Sequence, residues 1–382
     1  MARIARPAPL LAFVLALVAA SPAGAATVSE QLDAALQSSW QNTDSPGVQA
    51  TVLRDGQLVW QGALGEAVVG SRPVSDRTLF EFGSFSKMMS AAFALHRVET
   101  GRLKLDVPIR TYIGRSVPGA SRVTLRMLLS HTAGYPDVYE RPPVSELLGP
   151  KYDPNRRWTF KTVFKSLGPP SHPGRQFAYS NSGYIVLAYL LVKTTNRPLA
   201  EAFQDFLEPA GSVEPISESS LTMRRTPQAA GIFAHAYFGG QDQFTGAKTI
   251  PTDFYGLPWG DGLYAGTALG GSEFLDALLV GNRLLPPRSV DQLVAITRQS
   301  HATGGSDVGE GRYGFGTYRL NEAGRTWQGH DGSYIGFSTM GFTDRKDGVT
   351  IFVNANGHTF GPQPANPIWH ALAKAYVAAA LG

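Results

Sequence analysis

Ser84-Phe85-Ser86-Lys87 sets a hydroxyl and an ammonium three residues apart, at the start of a strongly patterned helix. Residues i and i+3 share a helix face, so the lysine lies beside the serine as a partner for its proton. A serine at a helix mouth also has unpaired backbone N–H groups and the positive dipole end nearby, which suit a developing oxyanion. No other Ser-x-x-Lys occurs in the chain. Tyr179-Ser180-Asn181 is a second candidate group. There a tyrosine can shuttle the Ser84 proton if the charge of Lys87 lowers its pKa, and the asparagine amide can orient a substrate carbonyl together with the lysine. His330-Asp331-Gly332 is a third, read as opening a strand at Tyr334. The backbone N–H of Ser333 is then a second oxyanion donor, and Gly332 lets substrate approach the backbone closely. Each group alone also fits a bland role: an N-cap serine with a solvated lysine, a turn asparagine, a surface turn. His172-Pro173-Gly174 matches the same His-x-Gly.

Elements must bring these groups together. Val28 to Trp40 has helical periodicity, ended by Pro46-Gly47. Residues 48–53 and 57–60 flank Arg54-Asp55-Gly56 and read as a β-hairpin, because Asp-Gly supplies the positive φ such turns require. From Ser84 the apolar positions Met88, Ala91, Ala92, Leu95 and Val98 mark a helix that Gly101 stops. Further helices are expected at Val123–Leu129, Ser182–Thr194, Leu199–Leu207, Ser272–Val280, Pro287–Arg298 and Pro367–Leu381. Strands are expected at Tyr313–Tyr318, Tyr334–Thr343 and Val349–Asn354. Residues 135–178 lack long periodic runs, and residues 212–262 read as an extended cover over a site. Strands at both chain ends with helices between them imply an α+β fold, with an antiparallel sheet that gathers the termini.

Bulk properties narrow the classes. The 382 residues are 43% hydrophobic and 17% charged, with Gly 42 and Pro 26, which suits a loop-rich globular enzyme and not a disordered chain. A net charge of +4 without a Lys/Arg cluster speaks against nucleic acid as a partner. With no cysteine, disulfides, thiolate nucleophiles and zinc–sulfur sites are excluded. Arg3 and Arg6, the apolar stretch Leu10 to Ala20 and Ala23-Gly24-Ala25 have the layout of a secretory signal. The expectation is a leader over residues 1–25, a hydrolase domain over 26–382, export to a bacterial periplasm or medium, and no stable membrane span after cleavage.

Taken in order, Ser84-x-x-Lys87, Tyr179-x-Asn181 and His330-x-Gly332 resemble the three boxes of the penicillin-recognising serine hydrolases. The nearest branch holds class C β-lactamases, D-alanyl-D-alanine carboxypeptidases, D-aminopeptidases and family VIII esterases. Phe82-Gly83-Ser84, Leu128-Leu-Ser-His-Thr-Ala-Gly134, Tyr179-Ser-Asn-Ser-Gly-Tyr184 and Gly329-His-Asp-Gly-Ser-Tyr-Ile-Gly-Phe337 agree with it. The resemblance covers roughly residues 30–380. It implies a β-lactamase/transpeptidase-like fold, with a sandwich of helices about the sheet, an all-helical lobe and the site between them. It also implies an acyl-enzyme on Ser84, with Lys87 and Tyr179 as catalytic partners. Asn181, His330, Gly332 and Ser333 serve substrate and oxyanion. No metal or cofactor is called for, the substrate is a small molecule or peptide, and a monomer is expected.

Two departures bear on the substrate. The third box lacks Lys-Thr-Gly, and Lys346-Asp347-Gly348 falls on a hairpin turn instead. His330 carries at most partial charge near pH 7, so it depresses the Tyr179 pKa and attracts a carboxylate less than lysine would. Asp331, if it points inward, repels β-lactams and D-Ala-D-Ala termini. The reading is therefore an ester or D-amino-acid amide hydrolase, with a penicillin-binding carboxypeptidase or β-lactamase as runner-up and a non-catalytic binding relative as the other class. His131 reads as structural, and Trp158, Trp259 and Trp327 as core more than pocket. Asp137 and Glu140 lack the spacing of an acid pair.

Overall fold

A computed structural model describes residues 26–145, 158–197, 199–210, 217–218, 232–245, 262, 264–300, 312–334, 336–358 and 363–381. The expected leader, Trp259 and most of the expected cover lie outside the described residues. An eight-stranded antiparallel sheet organises the rest. Its strands are β1 (Gly47–Arg54), β2 (Gln57–Val68), β3 (Arg72–Pro73), β4 (Arg312–Tyr313), β5 (Tyr318–Glu322), β6 (Arg325–Tyr334), β7 (Phe337–Asp344) and β8 (Val349–Ala355). They lie in the order β3-β2-β1-β8-β7-β6-β5-β4. The first and last strands are thus central neighbours, paired from Val48↔Ala355 to Arg54↔Val349.

The residues of β1 show why the sheet is covered on both faces. Val48, Ala50 and Val52 pack into the apolar layer made by Leu32 and Leu36 of α1 (Val28–Trp40) and by Ile368, Trp369 and Leu372 of α5 (Ala365–Ala380). The alternate residues turn to α4 (Ala268–Leu279): Thr51 Oγ1 donates to Ala268 O at 3.1 Å, and Gln49 Oε1 accepts from Ala268 N at 2.6 Å. Period-two alternation therefore sorts the strand into an apolar and a hydrogen-bonded face. A reciprocal Thr27–Glu30 capping box starts α1, and Asp55 and Gly56 take the positive φ that the hairpin turn demands. Beyond α4 lies the helical lobe, built around α2 (Ser86–Glu99) and α3 (Asn181–Thr194).

Several boundaries differ from the sequence expectations. Ser84 lies in a 3-10 turn, Gly83–Phe85, and the α-helix begins only at Ser86. The helix expected from Ser272 begins at Ala268, where the Thr267 hydroxyl accepts from Gly270 N at 3.0 Å. The helix from Pro287 ends at Val294. Tyr313–Tyr318 is two strand ends separated by a turn at Gly316, whose φ is +68°. The third box does not open a strand: it sits near the end of β6, and Gly336, at φ +82°, turns the chain into β7. Arg325, Thr326 and Gln328 hide the start of β6 from a search for apolar alternation. Trp158 and Trp327 are both core, at 5% and 0% exposure. No helix among the described residues is long and apolar enough to cross a membrane.

Candidate active site

The turn that carries Ser84 is anchored from below. Phe82 and Phe85 meet edge to face at 5.7 Å, and Phe85 packs on Phe352 of β8 at 4.9 Å. From the side, the end of β6 presses backbone against backbone. A Cβ on Gly83 would lie 2.8 Å from the Ser333 backbone, and one on Gly332 would lie 2.0 Å from Phe82 O. Only glycine fits at these two positions, and the fit sets Ser333 beside Ser84. Because β5 pairs only with Arg325–Gly329, no described strand covers residues 330–334 on the edge away from β7.

Lys87 is fully buried, and its Nζ donates to Ser84 Oγ at 2.8 Å and to Asn181 Oδ1 at 2.8 Å. The ammonium also stands 5.0 Å from the centroid of the Tyr179 ring. Tyr179 precedes α3 and hydrogen-bonds Ser84 through its hydroxyl. Two pairs distant from each other in sequence, Ser84 with Lys87 and Tyr179 with Asn181, thus form one cluster. One expectation is reversed. The Tyr179 phenol is held well above its usual pKa, first by burial and then by the nearby Tyr318 and Asp331, with the Ser84 hydrogen bond pulling the other way. Tyr179 therefore rests as a neutral phenol at neutral pH.

His330 faces the same cluster from β6, its ring 6.4 Å from that of Tyr179, but it is 0% exposed. Its Nδ1 donates to Asp331 O, and its Nε2 is 3.2 Å from Tyr313 Oη. Tyr313 Oη in turn lies 3.2 Å from His131 Nε2, and His131 Nδ1 accepts from Ser180 N at 3.1 Å. A backbone N–H can only donate, so His131 carries its proton on Nε2. Burial, then the charges of Lys87 and His330, pushes its pKa well below the ordinary histidine value. With its ring 4.2 Å from that of Tyr179, His131 is a neutral brace for the second box. Asp331 is 6% exposed, with Oδ1 3.4 Å from His330 Nδ1.

Residues 32–375 match the Beta-lactamase family profile. The chain belongs to that family. Among the relatives of this beta-lactamase-family chain, a protein of Escherichia coli called "Putative D-alanyl-D-alanine carboxypeptidase" is 27% identical over 188 residues, 45% of this chain and 41% of that one. The chain thus spans less than half the length of this curated relative. Its fold is similar to that of a D-stereospecific amidohydrolase from Streptomyces sp., at TM-score 0.70 and 22% identity, covering 91% of this chain and 97% of that one. It is similar too to a D-amino acid amidase from Ochrobactrum anthropi, at TM-score 0.74 and 19% identity, covering 91% and 98%.

Two residues, one in this beta-lactamase-family site and one close to it in sequence, escaped the sequence reading. Asp137, set aside for lack of an acid partner, accepts from both Asn181 N at 2.8 Å and Asn181 Nδ2 at 3.0 Å. Its place before a 3-10 turn signals only an N-cap, and its second role needs the fold. Glu81 lies three residues before Ser84, buried, and its Oε1 has no hydrogen-bond partner among the described residues. Burial pushes its carboxyl from 4.5 to about 8. The folded state therefore favours the protonated form: the stability it confers is complete below pH 4.5 and is lost as pH rises through about 8. At about 1.4 kcal/mol per pH unit across that window, the loss is on the order of 5 kcal/mol. Glu81→Gln is expected to flatten this dependence, which thermal melting from pH 5 to pH 9 measures. A melting curve equally pH-dependent in the variant would refute it.

Proposed function

We propose that the chain is a serine hydrolase working through a Ser84 acyl-enzyme on an ester or D-amino-acid amide. The observation that carries this reading is Lys87 Nζ bridging Ser84 Oγ and Asn181 Oδ1, with the Tyr179 hydroxyl on the same serine. Ser84 Oγ attacks the carbonyl carbon as its proton passes to Lys87 Nζ, which reacts as the free amine and then hands that proton on to Tyr179. The negative charge on the carbonyl oxygen is met by the N–H groups of Ser84 and Ser333. Tyr179, a neutral phenol, donates its own proton to the leaving group while the Ser84 proton replaces it. The carbon–leaving-group bond breaks, and water then releases the acyl group along the same path in reverse. The geometry of the third box supports an uncharged acyl partner. Both His330 ring nitrogens are engaged within the protein, and Asp331 places a negative charge near Tyr179.

The test is a set of four reporters on the mature chain: a p-nitrophenyl ester, a D-phenylalanine anilide, nitrocefin and a D-Ala-D-Ala peptide. An active-site phosphonate is mapped by mass in parallel. Turnover of the ester or anilide at least about 10²-fold above the two carboxylate-bearing compounds is expected, that factor being about 2.7 kcal/mol of discrimination. The adduct is expected on Ser84. Efficient turnover of nitrocefin or the peptide would identify a β-lactamase or carboxypeptidase and remove the role given to Asp331. A chain with neither turnover nor adduct is not a serine hydrolase. The leader over residues 1–25 supports export, which N-terminal sequencing of the secreted protein checks.

A further inference from the structure

Asp137 stands outside the three boxes, yet it decides which way an atom of the second box points. Its carboxylate takes three N–H donors: Tyr139 N on Oδ1 at 2.9 Å, and Asn181 N and Nδ2 on Oδ2 at 2.8 and 3.0 Å. The two backbones are stitched beside it, since Ser182 Oγ donates to Pro136 O at 2.6 Å and accepts from Val138 N at 3.0 Å. An ionised carboxylate is acceptor-only, so the Asn181 amide must show it nitrogen. That leaves Oδ1 for Lys87, 2.8 Å away. We propose that Asp137 is a positioning residue for the Ser84 reaction, locking the Asn181 amide so that oxygen and not nitrogen meets the lysine. The proposal rests on the serine hydrolase reading given above.

A carboxylate is the side chain that fits here. An asparagine at 137 has one acceptor atom, and its NH₂ would face either Tyr139 N–H or the Asn181 donors. Without Asp137 the Asn181 amide is free to rotate, and its NH₂ then opposes the ammonium. Lys87 loses an acceptor and with it the aim of the N–H that meets Ser84 Oγ.

A double-mutant cycle separates this role from plain stability. Asp137→Ala and Asn181→Ala are each expected to lower kcat/KM for the p-nitrophenyl ester about 10²-fold, as loss of aim typically does. The double variant is expected to fall no further than Asn181→Ala alone. Losses that add, or an Asp137→Ala enzyme at wild-type rate, overturn the proposal. Asp137→Asn keeps the volume and serves where Asp137→Ala does not fold, with about a tenfold loss expected from its mismatched NH₂. A readout free of turnover is the side-chain amide of Asn181 by ¹⁵N NMR, slow to exchange in the wild type and fast in the Asp137 variants. Equal exchange in both overturns the locking. A wild type that neither hydrolyses the ester nor labels at Ser84 defeats the hydrolase reading instead, and leaves the NMR comparison to decide on Asp137.

Discussion

Ser84→Ala is expected to remove hydrolysis of every reporter, and Lys87→Met to come close to it, with losses in kcat of about 10⁴- to 10⁶-fold. The argument is geometric. Lys87 is fully buried, and the contacts of its Nζ include the nucleophile and Asn181. Methionine keeps the stem but takes away the donor that holds Ser84 Oγ and the group that shares its proton. Tyr179 does not replace it, because burial holds its phenol neutral. Residues that act as one unit lose their effect together, so the Ser84→Ala/Lys87→Met pair is expected to be no slower than Ser84→Ala alone. Steady-state kinetics on all three variants decide. Losses that multiply would mean that lysine and serine act separately, and the mechanism given for them would fall.

Gly332→Ala is expected to have the next largest effect although it adds a single methyl. The new Cβ would stand 2.0 Å from Phe82 O and 2.9 Å from Phe85 N. Both are backbone atoms of the nucleophile turn, held by the packing of Phe82 and Phe85, so neither can swing aside as a flexible side chain would. The end of β6 must back away from Ser84, taking the Ser333 N–H with it. A displacement of about 1 Å at an oxyanion donor costs about 10²-fold in kcat, and overpacking of this kind costs about 1–3 kcal/mol of stability. Gly183→Ala is the control, because its Cβ would meet only Leu128 O, at 3.8 Å, within α3. Phosphonylation rate and melting temperature read the two effects apart. A Gly332→Ala enzyme labelled at the wild-type rate would mean that Ser333 does not serve the oxyanion.

The legible parts of this chain are those where local chemistry has one outcome. The Asp55-Gly56 hairpin follows from positive φ, and the span of α1 from its apolar periodicity. The nucleophile and its lysine are legible because i and i+3 are neighbours whether the turn is α or 3-10. What resisted reading depends on partners far away in sequence. The start of β6 is polar, and only pairing with β5 and β7 makes it a strand. The Tyr179 pKa moves opposite to the local expectation: one nearby cation was counted, whereas the fold adds burial and Asp331. Asp137 is silent in the sequence because no second carboxylate stands at pair spacing, while its partners are N–H groups of Tyr139 and of Asn181 on α3.

The neighbourhood of β1 and β8 governs when the molecule becomes active. Val48 finds its partner in Ala355, and the glycine that seats the nucleophile turn arrives on β6. A chain emerging from the ribosome has Ser84 and Lys87 long before it has the strands that hold them. Contacts so distant in sequence are slow to close, and the edge of β1 that β8 will pair stays open in the meantime. Assembly of the sheet is in effect the arming step: chains that stop short of β6 lack a formed site, and hydrolysis awaits the strands from β6 to β8.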